Sequence, residues 1–203
     1  MQTRFTRRTL MKTVAVGAGA LALGQTAKLL GANDQIRVGF IGLGGRGGGL
    51  LNMFSKVPGV KVAALCDSDE SHLGNHAKKH PDAFTTKDLR EVLERKDIDA
   101  IVSAVPTHWH ALLTIWACQA GKHVYIEKPV SHTVYESRQM TKAARKYDRI
   151  VSSGFQNRSD TGLRPFFDRL HQGEWGKVNS VRVLTYRNRK GIGKLDEPAA
   201  PPK

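Results

Sequence analysis

An α/β fold built on a doubly wound parallel sheet is the fold class that this sequence of 203 residues predicts. From residue 36 to residue 153, short β-branched and apolar runs alternate with segments whose apolar residues recur at helical spacing. The connections between them are short, which is typical of a parallel sheet with helices on both faces. A glycine-rich turn directly after the first run indicates a ligand site of the kind this fold class carries.

The strand-like runs and the helix-like segments succeed one another in a regular order. The first helix shows apolar residues at helical spacing up to Val57 and is broken by Pro58-Gly59. The strands are predicted at residues 36–41, 60–66, 83–85, 100–105, 123–126 and 150–153. The helices after the first are predicted at residues 69–80, 88–95, 107–120 and 134–147.

The turn after the first strand fits the pattern G-x-G-x-x-G. Gly42 permits a tight turn, Gly44 lets backbone N–H groups approach a pyrophosphate, and Gly47 lets the following helix pack close to the strand. Together with Gly45 and Arg46, these residues are candidates for cofactor binding. The alternative is a flexible glycine-rich loop without a ligand.

Asp67 stands at the end of the second predicted strand, 20 positions after Gly47. A carboxylate at this place can accept hydrogen bonds from the ribose hydroxyls of a dinucleotide. The next residues, Ser68, Asp69 and Glu70, supply no cation for a 2′-phosphate, so the sequence favours NAD over NADP. The alternative is that Asp67 only caps the following helix. With the glycine turn, this residue indicates a Rossmann-type domain.

The fifth predicted strand ends in Glu127-Lys128-Pro129. Strand ends of an open α/β sheet face the ligand crevice, so we expect Lys128 near the nicotinamide end of a bound cofactor. An ammonium there can hydrogen-bond an alcohol oxygen and stabilise charge on it. Glu127 could pair with Lys128 or cap a helix. The alternative for all three residues is a solvated turn.

Taken in order, these motifs resemble the Gfo/Idh/MocA family of glucose-fructose oxidoreductase and inositol dehydrogenase relatives. The resemblance rests on the glycine turn, Cys66-Asp67, the stretch Val105 to His110 and Glu127-Lys128-Pro129, and it covers residues 36 to about 190. It implies a Rossmann domain followed by a second α/β domain that supplies dimer contacts and part of the substrate pocket.

The resemblance also implies roles for single residues. Lys128 would bind the reacting hydroxyl and the cofactor as the catalytic residue, while Pro106, Thr107, His110 and Glu127 would lie beside the cofactor. Arg158 is a weaker candidate for substrate binding. No metal is expected, because His108 and His110 have no further ligands at suitable spacing. Trp109 could be a wall of the cleft or a core residue.

The N-terminal residues 1–32 resemble a twin-arginine export signal. Arg7-Arg8 precede an apolar run, Thr13 to Gly24, whose 12 residues rise only about 18 Å as a helix and cannot span a bilayer. We therefore expect folding in the cytoplasm, passage through the twin-arginine machinery and an exported protein. Residues 33–155 would form the dinucleotide-binding domain, and residues 156–203 the incomplete start of the second domain.

Charge and cysteine content exclude other classes. The net charge is +14, but five of the basic residues lie in residues 1–32 and the others are scattered, so nucleic-acid binding is not expected. No stretch after the signal approaches membrane-spanning length. Cys66 and Cys118 lie in apolar segments, and we expect them to be buried and free.

The expected function is oxidation of a sugar or polyol hydroxyl with NAD. Because an exported protein meets no pool of free NAD, we expect a tightly bound cofactor that is regenerated in place. Two alternatives stay open: a redox-assisted, NAD-dependent glycosidase and a non-catalytic NAD-binding or sugar-sensing protein. The resemblance places further acid-base residues beyond this chain, so we expect a fragment with cofactor binding only, and a homo-oligomer only for a full-length protein.

A helix at residues 161–172 and a strand at residues 178–186 are predicted near the end.

Overall fold

A computed structural model describes residues 35–184 and Tyr186. The predicted export signal and the end of the chain from residue 187 lie outside the described residues. Among the helices of the described part, none is both long and apolar enough to cross a membrane.

Six parallel strands form one sheet in the order β3-β2-β1-β4-β5-β6. This order is that of a Rossmann fold, in which the direction of winding reverses between β1 and β4. The predicted fold class is therefore confirmed. The strands are β1 (Ile36–Ile41), β2 (Val60–Cys66), β3 (Phe84–Thr86), β4 (Ala100–Ser103), β5 (His123–Glu127) and β6 (Val151–Gly154).

Three of the helices begin at capping side chains that the sequence supplies. Asp69 accepts a hydrogen bond from the backbone N–H of Ser71, Asp88 accepts one from Arg90, and Thr133 forms a capping box with Glu136. The helices are α1 (Gly45–Phe54), α2 (Glu70–Ala77), α3 (Leu89–Glu94), α4 (Thr107–Gln119), α5 (Val134–Lys146) and α6 (Leu163–His171), with a 3₁₀ turn at Gln156–Ser159.

The core has two halves, one on each face of the sheet. Neighbouring residues of a strand point to opposite faces, so Phe40 belongs to one cluster and Ile41 to the other. The first cluster packs against Leu50 and Leu51 of α1, and the second against helices α3, α4 and α5, for example through Leu113. Helices thereby cover both faces of the sheet, as expected for an all-parallel sheet.

The predicted strand at residues 178–186 is wrong over the part of it that the structure describes. Residues 178–184 carry no strand, and Val181 and Val183 are 79% and 83% exposed. A strand needs a neighbour for its backbone hydrogen bonds and a surface for its apolar face. No described segment supplies either. The helix predicted at residues 161–172 is confirmed as α6.

A buried lysine stabilises the segment between α3 and β4, at the end of the sheet opposite the glycine turn. Lys122 is 5% exposed, and its Nζ donates hydrogen bonds to the carbonyl oxygens of Arg95 (2.5 Å) and Ile98 (2.8 Å). Burial lowers the pKa of Lys122. Its ammonium thus satisfies two carbonyl groups between α3 and β4 that would otherwise lack partners.

Replacing Lys122 by a side chain of similar length tests the contribution of these two hydrogen bonds to stability. We expect Lys122→Met to lower the free energy of unfolding by about 2 kcal/mol, because two buried carbonyl groups lose their charged donor. Urea unfolding followed by circular dichroism measures the change. Lys142→Met, at an exposed position of α5, is the matched control and should stay within about 0.5 kcal/mol of the unsubstituted protein. Equal stability of the two variants would contradict the role of Lys122.

Candidate cofactor site

The glycine turn is formed by a close approach of α1 to the end of β1. Gly42 has a φ of 83°, a conformation that favours glycine. A Cβ atom at residue 47 would lie 1.7 Å from the carbonyl oxygen of Gly42. Only glycine fits there, so the roles predicted for the first and third glycines agree with the geometry. The N-terminus of α1 is thereby directed at the crevice, and its first turn carries no acidic residue.

Asp67 fastens this turn to the neighbouring strand. Its Oδ2 accepts a hydrogen bond from the backbone N–H of Leu43 (2.6 Å), and its Oδ1 accepts one from Asp69 (2.9 Å). The cap of α2 is Asp69, not Asp67, so the interpretation of Asp67 as a simple helix cap is wrong. Because each carboxylate oxygen has a second lone pair, Asp67 can still accept bonds from ribose hydroxyls.

A cleft of about 780 Å³ opens at the carboxyl ends of β1, β2 and β4. Four of the predicted site residues line it, namely Gly42, Gly44, Asp67 and Pro106. Trp109 also lines it and is 39% exposed, which decides the open alternative in favour of a cleft wall. The cleft thus lies beside β1 and β4, where ligands of this fold bind.

Cys66 forms part of the cleft lining, but its thiol is not activated as a nucleophile. The thiol is buried and free, as is that of Cys118. Burial, with a further contribution from the charge of Asp67, raises the pKa of Cys66 to about 12. The thiol therefore stays protonated at neutral pH, and a nucleophilic role is not supported.

Glu127 is buried, contacts side chains from several elements and does not line the cleft. Its Oε1 accepts hydrogen bonds from Arg46 Nε (2.7 Å) and Gln156 Nε2 (2.6 Å), and its carboxylate forms an ion pair with Arg46. A Cβ atom on Gly154 would lie 2.8 Å from the same oxygen. Glu127 thus connects the glycine turn to the ends of β5 and β6. Its ion-pair partner is Arg46, and from Lys128 it accepts a hydrogen bond of the backbone N–H (3.2 Å).

Lys128 follows Glu127 at the carboxyl end of β5, and its side chain is exposed. It lies outside the lining of the 780 Å³ cleft, together with Gly45, Arg46 and Thr107. Arg158 is exposed on the 3₁₀ turn, with its guanidinium 5.8 Å from the ring centre of Phe155. The structure does not bring Arg158 onto the cleft wall, and its role in substrate binding stays a prediction.

His110 is buried beneath the site and does not face the cleft. One ring nitrogen lies 2.7 Å from the carbonyl oxygen of Pro129, and the other lies 2.8 Å from that of Val105. Both ring nitrogens thus face backbone carbonyl oxygens, and a neutral imidazole can donate a hydrogen bond to only one of them. Its position instead links the start of α4 to the residues after β5.

Three basic side chains at the cleft were missed from the sequence. His72 of α2, and Lys87 and Arg90 beside β3, line the end of the cleft at which Asp67 lies. His72 could have been found, because it lies three residues after the cap Asp69 and hence on the same helix face. Lys87 and Arg90 reach the cleft only through the pairing of β3 with β2, which leaves no local signal.

Sheet order, glycine turn and Asp67 together define a dinucleotide-binding Rossmann domain. Residues 36–155 match the GFO_IDH_MocA family, described as an oxidoreductase family with an NAD-binding Rossmann fold. The chain belongs to this family, and the resemblance seen in the motifs is confirmed. Membership of this family implies a nicotinamide cofactor, but it does not distinguish NAD from NADP.

Known relatives include proteins with different names and activities. Glycosyl hydrolase family 109 protein 2 of Shewanella sp. (strain ANA-3) is 33% identical over 160 residues, which cover 65% of this chain and 35% of the relative. The myo-inositol 2-dehydrogenase of Lactobacillus plantarum superimposes with a TM-score of 0.67 at 30% identity, covering 71% of this chain and 43% of that structure.

A third relative was crystallised with a nicotinamide cofactor. The 3-ketoreductase of Actinomadura kijaniata, in complex with NADP, has a TM-score of 0.64 and 25% identity, covering 68% of this chain and 43% of that structure. The chain thus spans less than half the length of each of these three relatives.

The glycine turn gives a test with a control from the same helix. We expect Gly47→Ala to lower the free energy of unfolding by about 3 kcal/mol and to abolish nucleotide binding, because the new methyl group collides with the Gly42 carbonyl. Gly49→Ala meets nothing within 4 Å and should raise stability by about 0.5 to 1 kcal/mol, as an alanine does inside a helix. Urea unfolding measures both, and a Gly47→Ala protein of unchanged stability would refute the close approach.

Proposed function

We propose that this chain is the cofactor-binding part of an NAD(P)-dependent oxidoreductase that acts on a hydroxyl group of a sugar or polyol. The observation that carries the proposal is the cleft at the ends of β1, β2 and β4, where the glycine turn is fastened to Asp67. Family membership supports hydride-transfer chemistry. The names of inositol dehydrogenase and ketoreductase relatives support a polyhydroxylated substrate.

The residues present fit a dinucleotide. The N-terminus of α1, free of acidic side chains in its first turn, suits a pyrophosphate, since backbone N–H groups and the helix dipole favour negative charge. Asp67 suits the adenosine ribose, and Trp109 and Pro106 form an apolar wall. The bound nicotinamide would accept or return the hydride.

Lys128 would serve the reacting hydroxyl. Its exposed ammonium can donate a hydrogen bond to the substrate oxygen and stabilise negative charge on it. The residue before it is fixed by the buried contacts of Glu127 with Arg46 and Gln156. Because these contacts connect β5 to the glycine turn, they would hold Lys128 at a fixed position relative to the cofactor.

A second candidate function is redox-assisted hydrolysis of a glycoside. It is favoured by the similarity to a glycosyl hydrolase family 109 protein at 33% identity. In such a reaction, the cofactor would be reduced and reoxidised within one turnover, which would suit a tightly held NAD. Glycoside cleavage by the full protein without net NADH formation would support this candidate over a dehydrogenase. A non-catalytic sensor is the weaker alternative, because the chain retains Lys128.

Cofactor binding by the 203-residue chain can be measured directly. We expect NAD to bind in calorimetric titration, and Asp67→Ala to weaken the binding about tenfold or more, because charge-assisted bonds to the ribose are lost. Asp82→Ala, at an exposed turn, should bind as the unsubstituted chain does. Lys128→Ala should leave most of the affinity, since the adenosine half lies elsewhere. A folded chain that binds neither NAD nor NADP would overturn the proposed function.

We also propose export through the twin-arginine route, on the strength of Arg7-Arg8 and the short apolar run behind them. Export after folding would let the protein carry its cofactor across the membrane. We expect a double Arg7→Lys, Arg8→Lys variant to accumulate in the cytoplasm, while Arg4→Lys is exported normally. Cell fractionation and immunoblotting compare the two. Equal export of both variants would contradict the proposal.

A further inference from the structure

The cofactor cleft contains an imidazole beside its ribose carboxylate. His72 Nδ1 lies 3.6 Å from Asp67 Oδ2 and 3.8 Å from Asp69 Oδ2. Its side chain is 47% exposed and lines the cleft, and the ring comes within 3.5 Å of where a Cβ atom on Gly44 would be. His72 therefore lies between the second glycine of the turn and the carboxylate predicted to bind the ribose.

The other charged groups at this end of the cleft are largely paired with one another. Lys87 Nζ lies 3.0 Å from Glu70 Oε1, and the Arg90 guanidinium lies 2.7 Å from Asp88. Asp67 and Asp69 have no permanent cation among their described partners. Their partners are backbone N–H groups, the Ser71 hydroxyl and His72. The charge next to the ribose position thus depends on whether His72 carries a proton.

NAD and NADP differ at this position by one phosphate on the 2′-oxygen of the adenosine ribose. A carboxylate at the end of β2 accepts bonds from the free hydroxyls and repels the phosphate. A protonated imidazole within 4 Å of that carboxylate offsets its charge and can itself donate a hydrogen bond to a phosphate oxygen. Imidazole is the side chain that changes charge between about pH 5 and 8.

We propose that His72 is a specificity-determining residue of the cofactor cleft: its neutral form leaves the site selective for NAD, and its protonated form admits NADP. This inference rests on the proposed cofactor function of the cleft. It refines the expectation of NAD drawn from residues 68–70, which considered only neighbours in the sequence.

The test is the affinity of the 203-residue chain for NAD and for NADP at about pH 5.5 and about pH 8, measured by calorimetry. We expect the preference for NADP relative to NAD to rise about tenfold on acidification, the size expected for one added charge near a phosphate. In His72→Gln this rise should be absent. The cofactor phosphate itself titrates near pH 6, and because its titration is the same in both proteins, their difference isolates His72.

Two further variants complete the test. His72→Lys carries a permanent charge and should show at pH 8 a higher preference for NADP than the unsubstituted chain shows at the same pH. His171→Gln, an exposed histidine of α6 outside the cleft lining, should keep the full pH dependence. Circular dichroism verifies that each variant is folded.

The outcomes separate this inference from the function on which it rests. If NAD binds but the preference changes equally with pH in the unsubstituted chain and in His72→Gln, the role of His72 is refuted and the cofactor cleft stands. If His72→Lys leaves the preference at pH 8 unchanged, the role of His72 is likewise refuted. If no folded protein binds either cofactor at either pH, the proposed function fails and the inference fails with it.

Discussion

The close approach of α1 to the end of β1 is the constraint on which the rest of the site depends. With a Cβ atom at residue 47 only 1.7 Å from the Gly42 carbonyl oxygen, the helix can begin there only if both residues are glycines. This approach directs the N-terminus of α1 into the crevice beside β1 and β4. The partial positive charge of that terminus is what makes the crevice suited to a pyrophosphate.

Two carboxylates hold the turn from opposite sides. Asp67, at the end of β2, accepts a hydrogen bond from the backbone of Leu43, and Glu127, at the end of β5, binds the side chain of Arg46. The turn is thereby tied to strands on both flanks of β1. Asp67 also faces the cleft, so the residue that holds the turn is also accessible to a ligand. Glu127 is buried, and its contribution to function would be the placement of Lys128.

Local patterns predicted much of this architecture, and the exceptions have physical causes. Gly42, Gly47 and Asp67 were predicted because their spacing reflects one strand, one turn and one helix in succession. His110 is expected beside the cofactor from the motif, but it lies on the buried face of α4, and this burial depends on the packing of the helix over the residues after β5. The strand predicted at residues 178–186 is absent from residues 178–184, because a strand forms only where a neighbour can pair with it.

The sequence by itself determined the fold class, the order of strands and helices and the glycine turn, because these depend on periodicity and on residues close along the chain. It also indicated the family, through the resemblance of its motifs. Only the tertiary structure decided which side chains share the cleft. Lys87 and Arg90 lie about 20 residues after Asp67 in the chain, and the pairing of β3 with β2 brings them to the same end of the cleft. Contacts made across a sheet depend on strand order and register, which adjacent residues do not encode.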